Sequence, residues 1–77
     1  MTHELKILPQ YFWEVWHGNK TFELRKDDRN YVVGDKLLLK EFKDGRFTGC
    51  QTLRTITYIL KGGLYGLEEG YVILAIK

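Results

Sequence analysis

The chain has 77 residues, 44% of them hydrophobic, which is enough for one small core. Its net charge of +2 excludes the heavy cationic excess with which some proteins coat a nucleic acid duplex. Cys50 is the single cysteine, so no internal disulfide can form, and no apolar run approaches the roughly 20 residues that cross a bilayer. We therefore predict a single domain over residues 1–77 that resides in the cytoplasm and does not enter a membrane.

The first two predicted elements are a strand and a short helix. Apolar and polar residues alternate over 3–8, which is the period of a strand. Pro9 suits a first helical turn and Gly18 a position just past a helix end, so these two residues bound the helix. Phe12 and Trp16 have i,i+4 spacing, and we expect both to pack in the core. So much aromatic surface on a short helix indicates that it covers an open end of the fold.

The next predicted strand, over 20–25, carries charges of both signs. Phe22 and Leu24 alternate with Glu23 and Arg25, and alternate side chains of a strand point to opposite faces. We expect Phe22 and Leu24 to face the core, and Glu23 and Arg25 to share the other face, roughly 7 Å apart along the strand. Spacing alone favours an exposed ion pair, worth about 0–1 kcal/mol, over a charged groove.

Three further strands are predicted in the rest of the chain. Residues 36–42 form one, and Asp44-Gly45 signals a hairpin into a long strand over 47–60. The long strand has no cleanly polar face, so we expect a bend or a bulge in it. A glycine-rich loop leads to the last strand, 71–77, which is apolar on both faces and is expected between two neighbours. The pattern predicts a mainly β fold with one short helix, a small β-barrel of about five to six strands.

The sequence offers few arrangements for catalysis. Neither His3 nor His17 belongs to a His-x-x-x-His pair, and no Cys-x-x-Cys occurs, so we expect no metal and no cofactor. The glycine-rich loop lacks the Gly-Lys-Ser/Thr ending of a phosphate-binding loop and precedes a strand. Lys6, Lys20 and Glu23 could form a half-buried group in which a desolvated lysine acts as a base or nucleophile.

Basic and aromatic residues are the candidates for ligand binding. Lys20, Arg25, Lys26 and Arg29 can contact phosphates, and the two arginines can also read base edges. Aromatic rings can stack on unpaired bases, and the candidate platforms are Tyr11, Trp13, Trp16, Tyr31 and Tyr65. Of these, Trp13 is predicted as a ligand contact.

The segment Gly18-x-Lys20-x-x-Glu23-x-Arg25 resembles the G-x-K-x-x-E-x-R signature of the ASCH domain family, whose members have a PUA-like β-barrel. All four defining positions match, in the expected context of a strand, a short helix and then the motif. The rest of the chain resembles the small bacterial and phage branch known as DUF3850, through His3-x-Leu5-Lys6, Arg29, Gly34-Asp35 and Tyr65-Gly66-Leu67. The similarity covers nearly the whole chain.

The resemblance implies a cleft beside the barrel that binds RNA, lined by the motif strand and the helix. It would place Lys20, Glu23 and Arg25 in that cleft, together with Lys6 and Arg29. We therefore expect an RNA-binding or nucleotide-binding module. Glu23 would orient Arg25 and accept a hydrogen bond from a base amino group.

Two alternatives to a binding module remain open. Some relatives look like small amidohydrolases that deacetylate N4-acetylcytidine with a lysine, a threonine and a glutamate. Lys20 matches their lysine, whereas Glu23 stands where they have threonine, so Lys20 and Glu23 would be the catalytic residues if the chain is an enzyme. The third possibility is a protein-interaction module whose charged cleft is inert.

Overall fold

In the computed structural model, which describes residues 1–77, the chain forms five strands and one helix. In chain order these elements are β1 (Thr2–Ile7), α1 (Pro9–Trp16), β2 (Phe22–Lys26), β3 (Lys36–Lys43), β4 (Arg46–Lys61) and β5 (Tyr71–Ile76). The mainly β fold with one short helix is thereby confirmed. None of the chain's helical structure has the length and apolar character that a membrane-crossing helix requires.

The five strands form one sheet in the order β1-β3-β4-β5-β2. β1 pairs parallel to β3, and the other three pairings are antiparallel. Asp44 and Gly45, both with positive φ, form the predicted two-residue hairpin turn between β3 and β4. β4 pairs first with β3 and then with β5, and its register with β5 shifts between Ile56 and Tyr58. This irregularity confirms the expected bulge, which lets the long strand bend from one partner to the next.

Backbone pairing does not close the sheet into the predicted barrel, because β1 and β2 remain its two edges. Two arginine side chains reach across to β1, one from β2 (Arg25) and one from the loop that follows it (Arg29). Arg25 Nη2 donates to the carbonyl of Lys6 at 2.9 Å, and Arg29 Nη1 donates to the carbonyl of Glu4 at 3.0 Å. The fold is therefore an open five-stranded sheet whose edge strands are joined by side chains, which also occupy backbone acceptors of an edge strand.

The core draws apolar side chains from α1 and from every strand except β2. Eleven residues form it: Leu5, Ile7, Phe12, Val15, Tyr31, Leu37, Leu39, Ile56, Val72, Leu74 and Ile76. The inner face of β2 contributes a carboxylate instead, since Glu23 is buried there. β5 lies between β4 and β2, as its sequence predicted.

The prediction that Trp16 packs in the core is wrong, because this residue is 52% exposed. Phe12 is fully buried as expected, and Val15 is the other buried residue of α1. The helix has only eight residues, so its core-facing stripe holds just these two side chains. Trp16 stacks on the ring of Phe12 at a centroid distance of 6.1 Å and leaves its other face to solvent.

Asp35 anchors the segment between β2 and β3. Its Oδ2 is hydrogen-bonded to Nε2 of His3 at 2.8 Å and accepts the N–H of Val32 at 3.1 Å, while Oδ1 accepts from the amino group of Met1 at 3.2 Å. The hydrogen bond from His3 is the main cause that holds the pKa of Asp35 below its ordinary value. His3 is itself buried and packs edge-on against Tyr31.

Candidate functional site

β2 presents its charged residues to the interior, opposite to the prediction. Glu23 lies directly across from Leu74 of β5, which is fully buried, whereas Phe22 and Leu24 are about half exposed. Residues opposed in an antiparallel pair share a face, so Glu23 and Arg25 are on the core side. Strand alternation places the apolar and the charged side chains of β2 on opposite faces, but it does not determine which face points inward. The charged side chains can face inward because they pair with one another.

Glu23 is a buried carboxylate held between two cations. Its Oε1 accepts a hydrogen bond of 2.6 Å from Lys20 Nζ, and its Oε2 accepts one of 3.0 Å from Arg25 Nε. Only 5% of the Glu23 side chain is exposed, against 18% for Lys20 and 24% for Arg25. A buried charge is tolerated when it is paired and hydrogen-bonded in this way. The expected exposed ion pair is therefore wrong, and we call Lys20, Glu23 and Arg25 the charged trio.

Each cation of the charged trio has a second contact that fixes its position. Lys20 Nζ donates to the carbonyl of Phe22 at 2.7 Å, and Arg25 Nη2 donates to the carbonyl of Lys6 at 2.9 Å. One of the three ammonium N–H groups and the guanidinium Nη1 are left without a protein partner. Two cations with one carboxylate leave a surplus of one positive charge, presented on side chains that are already ordered.

A cavity of about 460 Å³, the first cavity, opens at the charged trio between β1, α1 and β2. Its apolar wall consists of Ile7, Leu8, Tyr11, Phe22 and Leu24. Mostly apolar walls with a few convergent polar groups are typical of small-molecule sites. The chain contains no group of three or more His, Cys, Asp or Glu residues arranged to hold a metal ion.

Lys6 lines the first cavity, but its ammonium is not part of the charged trio. Its Nζ lies 4.5 Å from the ring centroid of Phe42. The backbone carbonyl of Lys6, not its side chain, makes the contact with Arg25. The predicted group of Lys6, Lys20 and Glu23 is therefore corrected: Lys20 and Glu23 do meet, and Arg25 takes the third place.

Three predicted binding residues, Lys26, Arg29 and Trp13, lie outside the first cavity. Arg29 reaches across to β1, and Trp13 is 41% exposed on α1 without lining the cavity. Among the other aromatic candidates, Tyr11 lines the cavity, whereas Tyr31 belongs to the core. Tyr65, in the glycine-rich loop, is 95% exposed and lies away from the cavity lining.

Sequence reasoning missed the apolar half of the first cavity. Phe22 and Leu24 were assigned to the core because apolar alternation was taken to mark the inward face, and Leu8 was not singled out. The usable signal was the near balance of charge among Lys20, Glu23 and Arg25, since a carboxylate with two cations within reach can be buried.

Comparison with known proteins identifies the family. The family described as "Domain of unknown function (DUF3850)" matches residues 2–76. The chain belongs to the DUF3850 family. A relative of this DUF3850 domain, 43% identical over 72 residues, is the "Uncharacterized 12.9 kDa protein in GpA 3'region" of Escherichia phage P2. The alignment covers 94% of this chain and 64% of the phage protein, so the chain spans less than two thirds of that relative's length.

The match confirms the DUF3850 part of the resemblance. The matched region includes the whole G-x-K-x-x-E-x-R segment, both edge strands of the sheet and the helix between them. The candidate site of this DUF3850 domain is therefore built from elements that all lie inside the family match.

Proposed function

We propose that this DUF3850 domain is an ASCH-type nucleotide-binding module that takes an unpaired RNA nucleotide into the first cavity. The observation that carries the proposal is the charged trio, because the buried Glu23 holds Lys20 and Arg25 with spare donors beside apolar walls. The ASCH-type assignment is supported by the four signature positions from Gly18 to Arg25 and by the mainly β fold.

The apolar wall of the first cavity suits a nucleobase. Tyr11 and Phe22 contribute aromatic surface, and base–aromatic stacking is worth roughly 1–3 kcal/mol per base. The ring centroid of Phe22 lies 4.8 Å from Lys20 Nζ, and that of Tyr11 lies 5.8 Å from it. A base against these rings would bring its sugar or phosphate close to the Lys20 ammonium.

The surplus charge favours an anionic ligand over a neutral one. Lys20 retains one ammonium N–H and Arg25 retains Nη1, and both types of group bind phosphate oxygens. Both carboxylate oxygens of Glu23 are bound to these cations, so its role here is to position them. This replaces the direct contact with a base amino group that was expected of Glu23.

An isothermal titration with the four ribonucleoside 5′-monophosphates and the four parent nucleosides tests the proposal. We expect the best monophosphate to bind roughly tenfold more tightly than its nucleoside, because a charge-assisted phosphate contact is worth about 1.5–3 kcal/mol. Amide shifts in a parallel NMR titration should centre on residues 20–25. Equal affinity for nucleoside and monophosphate would contradict a phosphate contact.

Two variants connect the binding to the charged trio. Lys20→Ala and Arg25→Ala should each weaken monophosphate binding by about tenfold or more, since each removes a cation at the phosphate. The matched control is Arg46→Ala, which removes a positive charge at the β3–β4 hairpin, where Arg46 does not line the first cavity. Circular dichroism first establishes that each variant is folded.

Incubation with N4-acetylcytidine separates binding from catalysis. A binding module should leave this nucleoside intact over the course of the titration. Release of acetate that disappears in Lys20→Ala would instead assign the deacylation chemistry, and the proposal of a pure binding module would then be wrong. No response to any nucleotide or nucleoside would contradict both functions.

A further inference from the structure

A second cavity, of about 310 Å³, adjoins the first, and Lys20 lines both. We propose that the second cavity holds the neighbouring nucleotide, so that the ligand is a single strand of at least two nucleotides. This inference rests on the proposed function and specifies its ligand. The second cavity lies where α1 ends and β2 approaches, and it also borders Arg54 of β4.

The second cavity is lined by cations without any carboxylate side chain. Lys20, Arg54 and Lys77 contribute cationic side chains to its wall, and none of its nine lining residues is Asp or Glu. The first cavity, by contrast, contains the buried carboxylate of Glu23. The second cavity therefore carries a surplus of positive side-chain charge, which favours a phosphate group.

The C-terminal end of α1 borders the second cavity, and free carbonyls there would repel a phosphate. Those of Glu14 and Val15 are already paired. The carbonyl of Val15 accepts the N–H of Gly18 at 3.0 Å and Nη2 of Arg54 at 3.3 Å, and that of Glu14 accepts the N–H of Lys20 at 3.0 Å. This pairing satisfies two of the last helix carbonyls, and Arg54 retains further N–H donors without a protein partner.

An exposed aromatic ring stands beside these cations. Trp16 lines the second cavity and is 52% exposed, so its ring is available to a ligand. A stacking platform next to a cationic groove is the combination with which proteins bind unpaired nucleic acid strands. Stacking of a base would give a role to the exposed ring of Trp16, which is not part of the core.

The position of Lys20 connects the two cavities. Its ammonium is held by the carbonyl of Phe22 and by Glu23, so its remaining N–H is presented from a fixed point. A phosphodiester at this ammonium would join a base in the first cavity to a base on Trp16. The ligand class that fits both cavities is therefore a single-stranded oligoribonucleotide.

The test compares the ribonucleoside 5′-monophosphates with the sixteen 5′-phosphorylated diribonucleotides by isothermal titration. We expect the best diribonucleotide to bind at least about fivefold more tightly than the best monophosphate, because one more stacked base contributes at least that factor. Trp16→Ala should reduce this advantage below about fivefold. The control Tyr58→Ala removes an exposed aromatic ring that lines neither cavity and should keep the advantage.

Arg54→Gln provides a second variant, because Gln can still donate a hydrogen bond to the carbonyl of Val15. Arg54→Gln should reduce by about one the number of counterions that diribonucleotide binding releases, as measured from the dependence of the affinity on salt concentration. Arg46→Ala, the control for loss of a positive charge, should leave this number unchanged. Two results would overturn this inference alone, provided that the monophosphates bind. In the first, the best diribonucleotide binds less than about fivefold more tightly than the best monophosphate. In the second, the tighter binding of the diribonucleotide persists in Trp16→Ala. Absence of binding by every probe would overturn the proposed function as well.

Discussion

The guanidinium of Arg25, in β2, donates a hydrogen bond of 2.9 Å to the backbone carbonyl of Lys6, in β1. Through Nε the same guanidinium donates to Glu23 at 3.0 Å. One side chain thus joins the two edges of the sheet and also forms part of the charged trio. Stability and the proposed nucleotide binding therefore depend on the same contacts, and each has to be measured when these residues are changed.

Replacing Glu23 by Gln should lower the free energy of unfolding by about 2 kcal/mol, because two partly buried cations then lose their carboxylate. Urea unfolding followed by circular dichroism measures the change. Glu4→Gln is the matched control, since Glu4 is 63% exposed and lies 3.2 Å from Lys40 in a surface ion pair worth about 0–1 kcal/mol. Equal losses in the two variants would contradict a special role of the buried carboxylate.

The two aromatic residues on one side of α1 should differ sharply in their effect on stability. Phe12→Ala removes a fully buried ring and should cost about 3–5 kcal/mol, enough to unfold much of so small a domain. Trp16→Ala removes a ring that is half in solvent and should cost less than about 1 kcal/mol. Thermal unfolding of both variants measures the two losses of stability. A loss of stability for Trp16→Ala as large as that for Phe12→Ala would contradict the exposed position of Trp16.

Acid should destabilise the protein partly through Asp35. Its folded-state pKa lies below the ordinary value of 3.8, chiefly because of the hydrogen bond from His3, so the unfolded chain binds the proton more readily. The contribution of Asp35 is present above pH 3.8 and is lost as the pH falls through the lower folded-state value. Urea midpoints measured from pH 6 down to about pH 2 should fall less steeply for Asp35→Asn than for the wild type. If the urea midpoints of the wild type and of Asp35→Asn fell in parallel with pH, the result would be inconsistent with the lowered pKa of Asp35.

Gly62→Ala should destabilise the connection between β4 and β5. A Cβ at this position would overlap the backbone carbonyl of Glu68 and would press on that of Tyr71, and neither can move without disturbing the loop. Overpacking of this kind costs typically about 1–3 kcal/mol. Leu64→Ala, in the same loop and 67% exposed, should change stability by less than about 0.5 kcal/mol. Urea unfolding of the two variants tests the difference.

The sequence predicted the strands, the helix, the hairpin turn and the bulge because each depends on local features such as periodicity, proline, Asp-Gly and β-branched residues. It failed at β2, where the inward face was assigned from apolarity. Glu23 can be buried because Lys20 and Arg25 converge on it, and that convergence is a property of three-dimensional structure. The exposed position of Trp16 was missed for a related reason, since i,i+4 spacing does not say how much of a short helix the core can cover.

The open sheet has a consequence for the wall of the first cavity. No backbone ladder joins β1 to β2; the carbonyls of Lys6 and Glu4 in β1 instead accept hydrogen bonds from Arg25 in β2 and from Arg29 in the loop after it. Moving these strands apart would break two side-chain contacts while every backbone ladder stayed intact. Unlike a fully closed barrel, the fold therefore has a line along one wall of the first cavity that no backbone ladder crosses.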